Sequence, residues 1–526
     1  MLARRARACL ATVVLAAAAL GEVRCVGDEP LPAGGGGGQD GGGPDDTNDA
    51  SPAGDDAGAG DGAATDDAAT EVPAEHAGAP VWFPKASTPG GGPHLAVDGA
   101  GNTYLAFAFD RPTTILGSAL AVSGGASDVA VVKISPAGAV LWSRVFGGAG
   151  AETVDAIVVD ASSNVFISGA FVAGTLSFGA TVSVSHAMGT GRTSIYVARL
   201  AASDGEGVAA MTISGTGGAG STHLALGTGG LALGYRALGS ITVDAFPSGV
   251  ETVPVVGDSW SGVVSSLDTS TLRAKWTNRF GSTSNEDGVC GVAMSSNGSV
   301  FAALRIGGRP FDDWREGPTL TDDARRDVIV RLTPGGGLRV GAVEMPESAG
   351  GSLRVGALAA SSSESVVHFT ATLTGTVSFG GASLTSAGAT DIVVGALSAG
   401  ATVTAVERHG GAGADAPTAI TRRDGRTYVA ATYGPGPIAL EGATLPAAAG
   451  DAGASVVFEA SLTGDSKWVR AVRGSSVVAS AVTVDPLANA VIHAGTFQGT
   501  ASLGDGVTAN SGDPLVYAGF LTRWKK

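Results

Sequence analysis

From about residue 94 to the end, short apolar runs alternate with turn-forming clusters at a steady pitch. A run such as AIVVD stops at a cluster of Asp, Ser, Gly and Asn, and a second run such as VFISGAF follows. A longer polar segment then leads to a third run such as DVAVVKI, and a short turn such as SPAGA to a fourth such as VLWSRVF. The runs are β-branched or aromatic and are bounded by Gly, Pro, Asn or Asp, which predicts strands. No segment predicts a helix. The third run ends at Ile134, Leu200, Leu267, Leu332, Leu397, Leu462 and Leu521, so the unit recurs every 59 to 67 residues.

Four strands per unit at this period is the blade of a propeller. The expected fold is therefore all-β: a seven-bladed β-propeller of four-stranded antiparallel blades spanning 80–526. Strands in such a ring bury both faces against their neighbours, with small residues near the axis and large ones farther out. The first strand indeed uses Ala, Val, Gly and Leu, and Trp142, Trp276 and Trp468 stand on the fourth, where core filling is the expected role. Between the first two strands, Asp98, Asp160 and Asp485 are placed to close Asx-turns. The calcium-loop ladder of alternating aspartates is missing there, so these residues are read as structural. The last unit stops after its third strand. Residues 81–86, with Trp82 standing as Trp142 and Trp468 do, are expected to supply its outer strand and remove an open edge.

The units resemble the bacterial SBBP-type β-propeller repeat family. The matching positions are Asp98, Gly101, Asn102 and Tyr104, then Asp128 and Lys133, then Gly138, Trp142, Phe146, Gly147 and Gly148, with Phe379-Gly380-Gly381 as the loop element. The later copies depart from the pattern; the Lys becomes Arg199, Ser266 or Gly395. The resemblance implies a secreted or cell-surface propeller and carries no particular activity.

The start of the chain changes the picture from a fold to an exported fold. Arg4, Arg5 and Arg7 precede an apolar run, Ala8 to Leu20, that ends at a small-residue cleavage site, so 1–21 reads as a signal peptide too short to span a bilayer. Cys25 stands where a lipid-anchored protein carries its modified cysteine, but Glu22, Val23 and Arg24 before it do not fit such a site. Residues 22–79 read as a disordered acidic linker rich in Gly, Asp and Ala. From Val26 onward that linker holds 13 Asp and Glu and no Lys or Arg. The formal charge of -16 thus falls largely on the linker; from Val81 onward 28 basic against 34 acidic residues leave -6. Such a balance offers no footprint for nucleic acid. No transmembrane segment is expected in the mature chain. The expected location is secreted or cell-surface, with lipid anchoring at Cys25 as the alternative.

Candidate chemistry is sparse. Three cysteines exclude a disulfide framework. Cys290, in the apolar run DGVCGVAM, is read as a small core residue. The seven histidines fall at unrelated repeat positions, and no zinc, nucleophile-elbow or phosphate-loop motif occurs. No catalytic residue, metal site or cofactor is assigned. The leading expectation is a noncatalytic binding or scaffold module of the cell envelope, with a surface polysaccharide or a protein as candidate partner. The alternatives are a structural or adhesive envelope protein, and a hydrolase or lyase using carboxylates at the channel. Buried carboxylates with raised pKa clustered at the channel mouth would favour the last. Strand direction places the long second-to-third-strand segments and the crossings between units on one face. The candidate binding residues lie there: Glu152, Asp155, Glu286, Asp287 and Asp415, together with the charged stretch from Asp312 to Arg326.

Overall fold

The computed structural model describes residues 79–86, 92–122, 125–172, 174–186, 192–244, 249–253, 259–282, 286–308, 325–360, 365–440, 443–446, 453–462, 468–513 and 516–526. The signal peptide, Cys25 and nearly all of the linker lie outside them, as does the charged stretch up to Ala324. The described residues form an all-β structure with no helix, and hence no helix long and apolar enough to cross a membrane.

Every described sheet beyond the two-stranded ones contains antiparallel paths of the same kind. In the first, His94–Val97 pairs with Thr103–Phe109, then Asp128–Ile134, then Val140–Phe146. Four-stranded sheets of the same order run from Gly218–Gly227 to Ala274–Gly281 and from Gly288–Met294 to Arg339–Glu344. The larger sheets contain the same path and extend it. Val469–Asp485 serves two paths in turn: its first residues pair with Ala454–Ala460 and the rest with Ala490–Gly504. Val81–Ala86 pairs antiparallel with Tyr517–Lys525, Val81 opposite Leu521 and Phe83 opposite Gly519.

Burial along the strands explains why these residues make this architecture. The second strand Val165–Phe171 and the third strands Asp128–Ile134 and Asp391–Leu397 are buried at every position, which fits sheets covered on both faces. The fourth strand Val140–Phe146 is only partly covered, and its Leu141 is exposed. First strands lie side by side. His94–Val97 touches Ala156–Val159, and contacts continue through Gly218–Gly227, Gly288–Met294, Gly351–Ala360, Asp415–Arg423 and Val469–Asp485, which returns to His94–Val97.

Three expectations need correction. The last two third strands end at Ala460 and Lys525, not Leu462 and Leu521, so third-strand ends recur every 63 to 67 residues throughout. The polar segments between second and third strands are largely hairpins rather than open loops. Thr113–Ile115 pairs with Ser118–Leu120, Thr175–Ser177 with Ser183–Ser185, and Ile241–Asp244 with Val250–Val253. Their alternate residues Ile115, Leu176 and Ile241 are fully buried. Such hairpins also reach the preceding unit: Gly215 pairs with Ile241 and Gly411 with Ile438. Finally, Cys290 is buried as expected, but it is disulfide-bonded. A count of three excludes a framework of bridges, not a single one.

Candidate functional site

Where the first strands meet they enclose a cavity of about 330 Å³, lined by two to four residues from each of them. The wall has two halves. His94, Asp155, Ser221, Thr222 and His223 make a polar arc, while Cys290, Gly291, Val292, Gly356, Ala357 and Leu358 make an apolar one, and Thr418 and Ser480 complete the polar groups.

Hydrogen bonds between successive units hold the wall. Asp155 accepts from the Thr222 backbone N–H at 2.9 Å and from its hydroxyl at 3.1 Å, and Thr153 Oγ1 donates to it at 3.3 Å. His223 Nε2 lies 3.1 Å from the Val289 carbonyl. Ser480 donates to the Pro93 carbonyl at 2.8 Å, joining the last unit to the first.

Farther out, the tryptophans of the repeat do more than fill space. The Trp142 indole N–H donates to Ala202 O at 3.2 Å, Trp276 to Pro334 O at 2.9 Å, and Trp468 to Lys525 O at 3.1 Å. Each acceptor lies at the end of a third strand, or in the turn after it, one unit along. Gly205 and Gly337 sit on the Trp142 and Trp276 rings with φ of 75° and 64°; a Cβ would meet those rings at 2.6 and 2.7 Å. Only glycine fits such a turn. Lys133 shares the Ala202 carbonyl at 3.1 Å, Arg199 reaches Thr269 O at 3.2 Å, and Arg523 reaches Pro136 O at 3.4 Å.

The aspartates of the first turn are structural, as expected. Asp98 accepts from the backbone N–H groups of Ala100 and Asn102, the Asn102 amide and the Tyr104 hydroxyl, at 2.8 to 3.0 Å. Asp160 repeats the pattern with Ser162 and Asn164, and Asp485 takes the N–H groups of Leu487 and Ala488.

The five candidate binding residues separate into three groups. Only Asp155 lines the cavity. Glu286 pairs with Arg325 at 2.9 Å on the surface. Glu152, Asp287 and Asp415 are buried in the crossings between units, and each bends back to its own loop. Glu152 accepts from Gly148 N at 3.2 Å, and Asp415 from Gly411 N at 2.7 Å and Gly434 N at 3.3 Å. Asp287 accepts from the Ser282 N–H, from its hydroxyl at 2.9 Å and from Gly307 N at 2.7 Å. Burial raises all three: Glu152 to about 7, with Asp128's charge adding; Asp415 to about 6, with Asp391 adding; and Asp287 above its ordinary value. Their place in the repeat is the same, four or five residues after the N–H they bind. That fixed spacing was the sequence signal for a loop-closing role. Among the described residues no three His, Cys, Asp or Glu side chains are grouped to hold a metal ion.

No protein-family model matches the chain, and no curated protein sequence matches it. Among solved structures, the chain is similar to the β-propeller domain of the Trilobed protease from Pyrococcus furiosus, described as having an open velcro topology. The identity is 10%, over 80% of this chain and 96% of that one, with a TM-score of 0.35. It is also similar to the quinohemoprotein alcohol dehydrogenase ADHIIG from Pseudomonas putida HK5, at 10% identity over 85% of this chain and 76% of that one, with a TM-score of 0.34.

Proposed function

We propose that the chain is a seven-bladed β-propeller of four-stranded blades, an exported and envelope-associated binding or scaffold module without catalysis of its own. Its ligand face is the one on which the axial cavity opens. The cycle of contacts among first strands supports one ring of seven. The pairing of Val81–Ala86 with the final strand supports closure between the chain's two ends, which leaves no open seam. Kinship with the SBBP-type repeat is supported by the tasks of its signature positions: Asp98 closes a turn, while Lys133 and Trp142 clasp the next blade. Residues 22–79 act in this reading as the linker between the blades and the envelope.

One observation carries the noncatalytic reading. The carboxylates with raised pKa stand in separate crossings and are bonded to their own loops, while the cavity wall holds a single carboxylate, Asp155, already engaged by Thr222. A cavity of this size takes one sugar residue or one side-chain-sized group of a larger partner. The test is a glycan and protein binding screen on the purified exported chain, run with a thiol reductant because Cys290 in the wall is disulfide-bonded. The expected result is retention of a polysaccharide or protein that Asp155→Asn weakens at least tenfold. Turnover of a retained glycan would overturn the noncatalytic reading, and calcium-dependent self-association without ligand would favour an adhesive protein.

A further inference from the structure

We propose that the axial cavity takes the primary ammonium group of an aliphatic amine, with Asp155 as its counter-ion. The proposal rests on the reading of this cavity as the ligand site, and it names the chemistry that the wall selects.

The wall is built by a repeated backbone device. Five successive first strands, from Gly218–Gly227 to Val469–Asp485, each hold one extra residue against the second strand at the level of the cavity. These shifts fall at Ser221–Thr222, Cys290, Gly356–Ala357, Thr418 and Ser480, all of which line the cavity. A β-bulge interrupts the ladder and re-aims the side chain at that point, which is a recurrent way to shape a site. Ser221 adds a backbone outlier: its φ of 52° lies in the left-handed region, which serine seldom takes unless its surroundings impose it.

Where the protons go sets the preference of the wall. A hydroxyl has one proton to give and two lone pairs. Thr222 gives its proton to Asp155 at 3.1 Å, Thr418 to the Ala430 carbonyl at 3.1 Å, and Ser480 to the Pro93 carbonyl at 2.8 Å. His223 spends its Nε2 proton on the Val289 carbonyl at 3.1 Å, because a carbonyl only accepts. Thr418 and Ser480 therefore offer a ligand lone pairs and not protons. Asp155 is the one carboxylate of the wall, and among the described residues no Lys or Arg lines it. Such a wall selects a cation that carries hydrogen-bond donors. A primary ammonium is that group, with three N–H donors and no acceptor. A bare metal ion is a poorer match, since no three His, Cys, Asp or Glu side chains are grouped among the described residues. The apolar arc, with Val292, Ala357 and Leu358, covers an aliphatic stem, while no described Phe, Tyr or Trp lines the cavity for a sugar ring to stack on. A lysine side chain of a protein partner and a free alkylamine present the same group.

The test is a ligand-observed NMR titration of the purified full chain under reducing conditions, with n-butylammonium, Nα-acetyl-lysine methylamide, 1-butanol and methyl glucoside. Both amines should bind once per chain, at least tenfold more tightly than the alcohol or the glucoside. Asp155→Asn keeps an oxygen for Thr222 and should weaken both amines tenfold or more. Thr418→Val should weaken them about threefold, and it carries the test alone if Asp155→Asn does not fold. Glu286→Ala, on the surface, should change neither by more than twofold. Tighter binding of the lysine derivative assigns the occupant to a protein partner, and tighter binding of n-butylammonium to a free amine; either order supports the proposal. Amine affinity that survives both wall changes in folded protein would overturn it. A glucoside that binds as tightly as the amines and is weakened by Asp155→Asn would also overturn it, yet would keep the cavity as the ligand site. If none of the four binds, the proposal falls, and the glycan and protein screen then decides the reading of the cavity by itself.

Discussion

The two ends of the strands use carboxylates for one task, accepting backbone N–H groups, yet their electrostatics run in opposite directions. At the turn after the first strand, burial pushes Asp98 upward, but hydrogen bonds from Asn102, Tyr104 and Ala100 outweigh it and hold the group below its ordinary value. At the crossing into the next unit, burial wins: Glu152 has one bond from Gly148 and rises to about 7. Its Oε1 is buried with no hydrogen-bond partner among the described residues. Asp287 and Asp415 rise as well although they accept three and two hydrogen bonds, so at these crossings burial outweighs the donors. All three raised groups are buried carboxylates that accept backbone N–H groups.

The comparison breaks most visibly at Asp98. Asp98→Ala strands the Asn102 amide, the Tyr104 hydroxyl and nearby Lys133, and should cost on the order of 3 kcal/mol in denaturant unfolding; a loss below 0.5 kcal/mol would sink the turn account. Glu152 behaves oppositely. Its folded pKa lies above its unfolded one, so protonation favours the fold: the native chain gains from this group as pH falls from 7 toward 4.5 and loses it again on the way up. Glu152→Gln should remove that dependence. We expect the variant to be more stable than the native chain at pH 8 by about 2 kcal/mol, with the advantage gone at pH 4.5. Buried His368, His409 and His493 have lowered pKa values and make both proteins less stable below pH 6.5, which is why the difference between the two proteins is the quantity to measure. The smallest effect belongs to Glu286. Its exposed pair with Arg325 should cost under about 0.5 kcal/mol in Glu286→Ala, and a larger loss would show that the surface crossings matter to the fold.

Local signals were legible in the sequence and distant ones were not. The strands, their burial on both faces and the Asx-turns at Asp98, Asp160 and Asp485 follow from runs and turns a few residues long. The hairpins escaped because each arm, such as TLS or SVS, is only three or four residues, too short for an alternation to stand out. The clasps of Lys133, Trp142 and Arg199 escaped because their acceptors lie 60 to 70 residues away, beyond any local pattern. At Cys290, an apolar run correctly indicated burial but hid that the strand also faces a cavity. The candidates Glu152, Asp287 and Asp415 were found by charge on the correct crossings, whereas their use in closing loops depends on a backbone geometry that charge does not report.

The most direct measurement compares ligand retention by three forms of the reduced, purified chain: the native protein, Asp155→Asn, and the combined Glu152→Gln, Asp287→Asn and Asp415→Asn variant. If the cavity is the binding site and the crossing carboxylates serve the loops, the triple variant retains the ligand within about twofold, while Asp155→Asn weakens it tenfold or more, roughly 1.4 kcal/mol. Loss of binding in the folded triple variant, with Asp155→Asn unaffected, would contradict the account.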